Sequence, residues 1–525
     1  PESPPPRLGG DELAALITAL PRPAASDAAK AFLYGSTPEG EAGWKVLASA
    51  ARAGSLDAEA AFHALFWYGR FLRAAERWKE AANLFSEAAA YAEAPNYGGF
   101  AVDADAARWY AIDCVSHYST AEAVSALGPV LARGKSVDYF ADLIEPLSRS
   151  ALMARDGSLL VLLDTATAKI GGQERPRLAY LAARTATIGI ITQDHLDKAF
   201  GIGAFASVQS YAISRLNQAY RQNSDSWYRL LAAYRIGAPL IEPMDGSDAL
   251  PLPDDPSGEN PAGTLDDSLE PEPISASPQI SAPAIQPGDG DAYALGMADF
   301  GLAARIRAEM GLELRTLGSD TLRALSELLR EQGANAESIR MIAPLFSRLG
   351  YVPTGKDREL YWPRPFQDAF TDVADSSGLP ISLLYGLARS ESLFQPDVVS
   401  GAGAIGLIQL MPATAGETAA RLKLSEYDLS DPSTNLIIGA EYLRRIVEGQ
   451  GGRVLPSLFA YNAGPTRLRR WQAASGSLPA DLFLETLSYA ETRQYGRNVV
   501  GAAVAYAALY DEGDVPSFMA YLLGE

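Results

Sequence analysis

What this 525-residue chain has little of narrows its chemistry further than what it has in plenty. It carries one cysteine, Cys114, so an intramolecular disulfide and a CxxC metal site are excluded. That cysteine stands in the apolar segment RWYAIDCVSHY, where a buried, inert thiol is the expectation rather than a nucleophile. The three histidines are His63, His117 and His195, so the last third of the chain has neither histidine nor cysteine. Ser-His-Asp triads, Cys-His dyads and ordinary zinc sites are thereby excluded from that third. Acid/base chemistry there falls to Asp, Glu, Tyr or Lys, and no metal or other cofactor is expected. Basic residues are outnumbered, 44 Lys and Arg against 64 Asp and Glu, for a net charge of -20. With no evident Lys/Arg cluster interleaved with aromatics, a nucleic-acid partner is not expected. No run of about 18 apolar residues occurs, so no transmembrane helix is expected. The opening PESPPPRLGG has neither a charged leader nor an apolar core, and a secretory signal is read as absent or already removed.

What is present is the composition of a soluble globular protein, 48% hydrophobic and 21% charged, with a length that suits two to four domains. Residues 1–243 read as a succession of short Ala/Leu-rich helices, among them DELAALITAL, EAGWKVLASAA, KEAANLFSEAAAYA and TAEAVSALGPVLA. Between Ala60 and Ala92, small residues alternate with aromatics in a pattern that resembles one tetratricopeptide-type hairpin. No strict period extends across the region, so an irregular helical solenoid is expected, with an ordinary helical domain as the alternative. SWYRLLAAYRIG closes this block, and Trp227 and Tyr228 are expected in its core. Residues 244–293 are rich in Pro, Ser, Gly and Asp and fall in a stretch with no basic residue from Arg235 to Arg305, which predicts an acidic insertion or linker. Residues 294–355 hold three amphipathic helical patterns, YALGMADFGLAARIRAEMGL, SDTLRALSELLREQG and NAESIRMIAPLFSRLG, and residues 356–525 form the remaining domain.

That last domain centres on Glu391. In ISLLYGLARSES the apolar positions Leu384, Leu387 and Ala388 fall at i, i+3 and i+4, and Glu391 extends the stripe at i+7. A carboxyl placed among buried leucines loses hydration and holds its proton more tightly, as a general acid working near neutral pH must. The alternative is a glutamate at a helix end neutralised by Arg389 or by backbone amides. The nearest other acids lack the surroundings of a second catalytic group: Asp397 follows a proline and suits a turn, and Glu417 suits the first turn of a helix. GAGAIG at 401–406 matches GxGxxG, but a helix and a loop precede it instead of a strand, so a dinucleotide site is not expected. Its glycines are expected instead to let backbone approach a ligand closely.

ES, GAIGLIQLMPATA, AYNAGP and YAETRQYGRNVV follow one another over roughly the last third of the chain. In that order they resemble the four successive signatures of the soluble lytic transglycosylases, enzymes with a goose-type lysozyme-like catalytic domain that cleave peptidoglycan. The resemblance implies a mainly α protein: an N-terminal superhelical solenoid or ring, a small helical linker domain and a lysozyme-like catalytic domain with minor β structure. It implies that Glu391 alone serves as acid and base, that the C6 hydroxyl of N-acetylmuramic acid is the nucleophile, and that the product is a 1,6-anhydro sugar. Glycan strands would be held by Ser400, Gln409, Met411 and Tyr461, with Asn462 steadying a loop rim and Glu491 and Tyr495, four apart on one helical face, lining the site. For Glu491 a salt bridge to Arg493 or Arg497 is the alternative. Ile408 and Gly496 depart from the family's usual Met and Val. The implied compartment is the periplasm, with peptidoglycan glycan strands as partner and the solenoid as a surface for cell-wall or secretion-complex proteins. A hydrolytic muramidase and a non-catalytic wall-binding scaffold are the competing readings.

Overall fold

The computed structural model describes residues 38–133, 137–167, 174–221, 226–240, 289–348, 351–511 and 513–525. The helix expected at DELAALITAL lies outside them, as does the acidic insertion apart from its last residues, which already belong to a helix beginning at Asp289. The chain divides into two compact units, Pro1–Arg229 and Leu230–Glu525.

Within the first unit, α1 (Ala58–Ala74) and α2 (Trp78–Ala92) form the expected hairpin. Asp57 begins α1 by accepting the Ala60 amide at 2.8 Å, satisfying one of the free donors of the first turn. Where the two helices cross, Gly69 lies so close to the Phe85 ring that a Cβ would stand 2.9 Å from it. α3 (Asp103–Ser116) closes over the pair, with Tyr110 stacked on Phe85 at 5.0 Å. Cys114 is buried on this helix, and burial pushes its thiol up to about 12, which makes it the inert group expected. Further on, α4 (Gly157–Ala166), α5 (Glu174–Thr187) and α6 (Val208–Arg221) are joined around buried Asp164. Its carboxylate meets Arg175 at 2.9 Å and Arg215 at 2.6 Å and accepts the Tyr211 hydroxyl at 2.8 Å. Trp227 and Tyr228 are buried, as a core role requires.

The second unit starts with α7 (Asp289–Asp299). The single amphipathic helix expected through YALGMADFGLAARIRAEMGL is not formed. The chain turns at Gly301, whose φ of 75° is left-handed, and continues as short 3-10 and α turns to Thr316. α8 (Ser319–Glu331) and α9 (Asn335–Phe346) follow as the sequence predicts and bury Leu322, Leu325, Leu329, Ile342 and Leu345 with Leu360. Earlier in the same unit, Arg235 reaches across to buried Asp481 at 3.2 Å.

The remainder is built from α10 (Gln367–Ser377), α11 (Ile381–Ser392), α12 (Pro412–Leu422), α13 (Pro432–Gly449), α14 (Val454–Ala463), α15 (Pro465–Ser475) and the long α16 (Ala490–Tyr510). Ahead of α10, Pro363 and Pro365 shape an irregular segment that tyrosines hold in place. Tyr510, Tyr506 and Tyr385 donate their hydroxyls to the carbonyls of Trp362, Pro363 and Pro365 at 2.7, 2.8 and 3.3 Å. Among the described residues the minor β structure amounts to isolated bridges, Val399 with Ile405 and Ile405 with Leu410.

α11 and α16 cross at a glycine. A Cβ on Gly386 would stand 2.7 Å from the Ala503 nitrogen and 2.8 Å from the Val499 oxygen, so the two helices touch main chain to main chain. Gly386→Ala is therefore expected to cost about 1–3 kcal/mol, because backbone cannot rotate away as a side chain can. Gly501→Ala, on the same long helix but facing open space, is expected to be neutral or slightly stabilising. Denaturant unfolding of the two variants checks the contrast.

Candidate active site

Glu391 occupies the last turn of α11, which ends at Leu393 with a left-handed φ of 51°, followed by Phe394 at 65°. Two consecutive non-glycine residues in this region let the chain leave the helix sharply, and buried Phe394 anchors the turn by packing edge-on to Tyr385 and Tyr506. Glu391 is part-buried, and Leu384, Leu387 and Ala388 on its stripe are fully buried. Desolvation raises its carboxyl from 4.5 to about 7, opposed in part by a hydrogen bond from the Tyr495 hydroxyl to Oε1 at 2.6 Å. Its place at the C-terminal end of a helix also disfavours negative charge.

Arg389 does not neutralise it. That guanidinium donates to the Tyr361 carbonyl at 2.5 Å and lies over the Trp362 ring, 4.0 Å from its centroid. The carboxyl is thus neither clamped by a cation nor turned out into bulk water. Asp397 and Glu417 are both exposed, and Glu417 sits in the middle of α12 rather than in the first turn where the sequence placed it.

The loop from Ser400 to Leu410 is held to Glu391 by its neighbour Ser392, whose hydroxyl donates to the Leu407 carbonyl at 2.8 Å. Buried Asn435 on α13 secures it from the other side. Its amide donates to the carbonyls of Ile405 and Leu429 and accepts the Ile408 amide at 3.0 Å. Gly406 fits because a Cβ would stand 2.2 Å from the Asn435 side chain, and Gly401 and Gly403 face open space. The requirement for glycine at 406 is therefore packing on Asn435, rather than the close approach to a ligand expected from GAGAIG. Ile408, in place of the family's Met, is buried over Gly439, where a Cβ would meet its Cδ1 at 2.0 Å.

Gln409 takes a left-handed φ of 48°, and its amide nitrogen donates within the loop to Gly406 and Val398 carbonyls at 2.9 and 3.1 Å. Ser400 accepts the Ala404 amide at 2.9 Å, and half-exposed Met411 begins α12.

Tyr461 and Asn462 lie in the last turn of α14, a helix end rather than the loop rim expected from AYNAGP; Gly464, with φ 91°, makes the turn that follows. The Tyr461 hydroxyl donates to the Ile408 carbonyl at 2.8 Å, and its own ionisation is disfavoured by burial and by the charge of Glu391. Asn462 accepts the Thr492 hydroxyl at 2.8 Å, which ties the end of α14 to the first turn of α16. Tyr495 is buried on α16, while Glu491, one turn earlier, is exposed. Arg497 pairs with Glu485 at 3.0 Å and Arg493 donates to the Leu487 carbonyl, so both arginines offered as Glu491's partners are engaged elsewhere. Gly496, in place of the family's Val, is a matter of local packing, since a Cβ there would stand 2.5 Å from the Phe459 ring.

Glu391, Tyr495, Tyr461 and the Gln409 loop are thus brought together, with Ser400, Met411, Asn462 and Glu491 on the flanking segments. Ser392 and Thr492 stand inside the ES and YAETRQYGRNVV blocks without an assigned role, and Asn435, the second of the three residues Ser392, Asn435 and Thr492, lies outside every block. An asparagine inside the apolar helix STNLIIGAEYL was the available signal for the second of them.

An all-helical domain that holds one carboxyl protonated near neutrality, with the tyrosine hydroxyls of Tyr495 and Tyr461 close by, is equipped as a general acid/base domain. Residues 368–484 match the family Transglycosylase SLT domain. It is 37% identical over 163 residues to the soluble lytic murein transglycosylase of Escherichia coli K12, covering 30% of this chain and 25% of that one. It is 38% identical over 97 residues to the transglycosylase of Enterobacteria phage PRD1, covering 18% and 34%. The chain thus matches about a quarter of the length of the E. coli relative. Among solved structures, the 70 kDa soluble lytic transglycosylase of E. coli aligns with a TM-score of 0.47 at 20% identity, over 98% of this chain and 83% of that one.

Two outcomes follow from the carboxyl's surroundings. A folded Glu391 keeps its proton to about pH 7, whereas an unfolded one releases it near 4.5. Stability conferred by the protonated group is therefore lost as pH rises through that window, by roughly 3 kcal/mol once both states are ionised. Glu391→Gln, which cannot ionise, is expected to melt near the wild type at pH 4 and several degrees above it at pH 8. Tyr495→Phe removes the donor that favours the charged form, so the Glu391 carboxyl is expected to titrate above 7; infrared or carboxyl NMR titration reads the shift.

Proposed function

We propose that the chain is a lytic transglycosylase acting on the MurNAc-GlcNAc β-1,4 bond of peptidoglycan, with Glu391 as its single acid and base. The observation that carries the reading is a carboxyl raised to about 7 by desolvation in a domain of the SLT family, with both neighbouring acids exposed. Hydrolysis by two carboxylates would need a second group placed across the bond, and neither Asp397 nor Glu417 has such surroundings.

In the proposed sequence, protonated Glu391 donates to the glycosidic oxygen as the C1–O bond breaks. The free end leaves as a GlcNAc hydroxyl, and the Tyr495 hydroxyl on Oε1 steadies the carboxylate that remains. The muramyl C6 hydroxyl then attacks C1 of its own ring, and its proton passes to Glu391, restoring the acid. An internal nucleophile of this kind has a high effective molarity over water, which removes the need for a second carboxylate. Tyr461, Gln409, Ser400 and Met411 would face the sugars, with Asn462 and Glu491 shaping the wall of the site. Gln409 would offer its amide oxygen, since its nitrogen is spent inside the loop. The periplasm follows as the proposed compartment from this substrate, and the helices of the first unit are proposed as a surface for cell-wall or secretion-complex proteins.

Digestion of purified sacculi followed by mass spectrometry tests the reaction. Anhydro-muramyl ends are expected, and reducing ends in their place would make the protein a muramidase. Glu391→Gln is expected to lower turnover roughly 10²–10⁴-fold while still sedimenting with sacculi. Full cellular function of that variant would favour the scaffold reading instead. The rate is expected to fall as pH rises through about 7, because the first step requires the protonated carboxyl.

A further inference from the structure

Methionine is scarce in this chain, seven residues in 525, and folding sorts the described ones by their access to water. Met310, Met341 and Met519 are buried and Met297 is half-buried, whereas Met153 and Met411 are 40% and 44% exposed. Met244 lies outside the described residues. The two exposed side chains occupy unlike places. Met153 is the last residue of a helix in the first unit, Ala141–Met153. Met411 stands between the Gln409 loop and α12, on the wall where the sugars are proposed to lie.

The backbone at Met411 is fixed from both sides. Before it, Leu410 and Ile405 exchange amide-to-carbonyl hydrogen bonds, each 3.0 Å. After it, Pro412 sets the first helical position and the Met411 carbonyl accepts the Ala415 amide at 2.9 Å. Only the flexible thioether is free to move. Met411 is also the N-cap of α12, and its side chain makes no capping hydrogen bond. Serine, threonine or asparagine at a cap offers an oxygen to the next amides, whereas a thioether is a weak acceptor. Among the described residues no group accepts the amides of Ala413 and Thr414. Oxidation to the sulfoxide adds the missing oxygen, beside those amides and the positive end of the helix. The same oxygen turns an apolar part of the cleft wall into a polar one.

Resting on the reaction proposed above, we propose that Met411 is a reversible oxidation site, at which a peroxide converts the thioether to the sulfoxide and weakens glycan binding without unfolding the domain. The sulfur lone pair attacks one peroxide oxygen, and the S–O bond forms as the O–O bond breaks. The displaced hydroxide takes the remaining proton and leaves as water, so sulfur loses two electrons and the peroxide gains them. Reversal needs a sulfoxide reductase, whose thiols supply two electrons, end as a disulfide and release the oxygen as water. At buried Met310, Met341 or Met519 the same oxygen would disrupt a core, but at Met411 it meets unpaired amides.

The test treats the protein with hydrogen peroxide and follows each methionine by peptide mass spectrometry, alongside melting temperature and kinetics on sacculi. Met411 and Met153 are expected to oxidise before any buried methionine, with the melting temperature unchanged. KM is expected to rise at least three-fold with kcat unaltered, and to recover when the two reductases specific for the sulfoxide epimers are added. Met411→Leu has no sulfur to oxidise and nearly keeps the volume, so its KM is expected to be the same before and after peroxide. Met153→Leu is expected to respond as the wild type does. Met411 left reduced while Met153 is oxidised, a KM indifferent to the Met411 sulfoxide, a melting temperature that falls with it, or a loss the reductases do not reverse overturns the site. Binding is measured separately in the Glu391→Gln background, by co-sedimentation with sacculi before and after peroxide. If the untreated wild type cleaves no sacculi, the reaction proposal fails, and the peptide map with the co-sedimentation difference still decides whether oxidation at Met411 controls binding.

Discussion

The candidate site depends on keeping one carboxyl dry without giving it a cation. Glu391 lies at the end of a helix whose other stripe positions are fully buried, and the hydrogen bond it receives from Tyr495 only partly offsets desolvation. Had Arg389 turned the other way, the carboxyl would have been an ordinary ion pair. Tyr361 and Trp362 prevent this by holding that guanidinium through a carbonyl and a ring face. The segment that supplies them is itself fixed by tyrosine hydroxyls from α11 and α16, so acid and restraint belong to one packing arrangement.

Much of this was legible in the sequence because it rests on local periodicity. The stripe from Leu384 to Glu391 located the acid, and the absence of histidine and cysteine restricted what the acid could be paired with. The hairpin at Ala60–Ala92 and the helices Ser319–Glu331 and Asn335–Phe346 were readable for the same reason. Legibility ended where a side chain acts across the fold. Asn435 reads as one polar residue in an apolar helix, yet it supports a loop some thirty residues upstream by two hydrogen bonds and holds the Leu429 carbonyl by a third. The Gly-Pro that follows Tyr461 and Asn462 reads as a loop signal, but glycine also ends helices, and here it does so after both residues. Gly301 had the opposite effect, breaking a pattern whose apolar spacing looked continuous.

The glycines deserve a physical distinction that their number obscures. At 386, 406, 439 and 496 they are needed because main chain, an amide, an isoleucine side chain or a ring, respectively, occupies the place of a Cβ. At 401 and 403, in the most motif-like run of the chain, nothing occupies it. The run resembles a phosphate-binding fingerprint only in spelling. Its third glycine fits a loop onto an asparagine, which is an interior packing function rather than a ligand-binding one.

Arg235 and Asp481 join the beginning of the second unit to its later half, and α7 resumes the same unit at Asp289. Both ends of the Pro- and Asp-rich tract are therefore anchored in one body. A break of the chain between Arg235 and Asp289 would therefore leave both flanks held in place by the fold itself rather than by the connection between them.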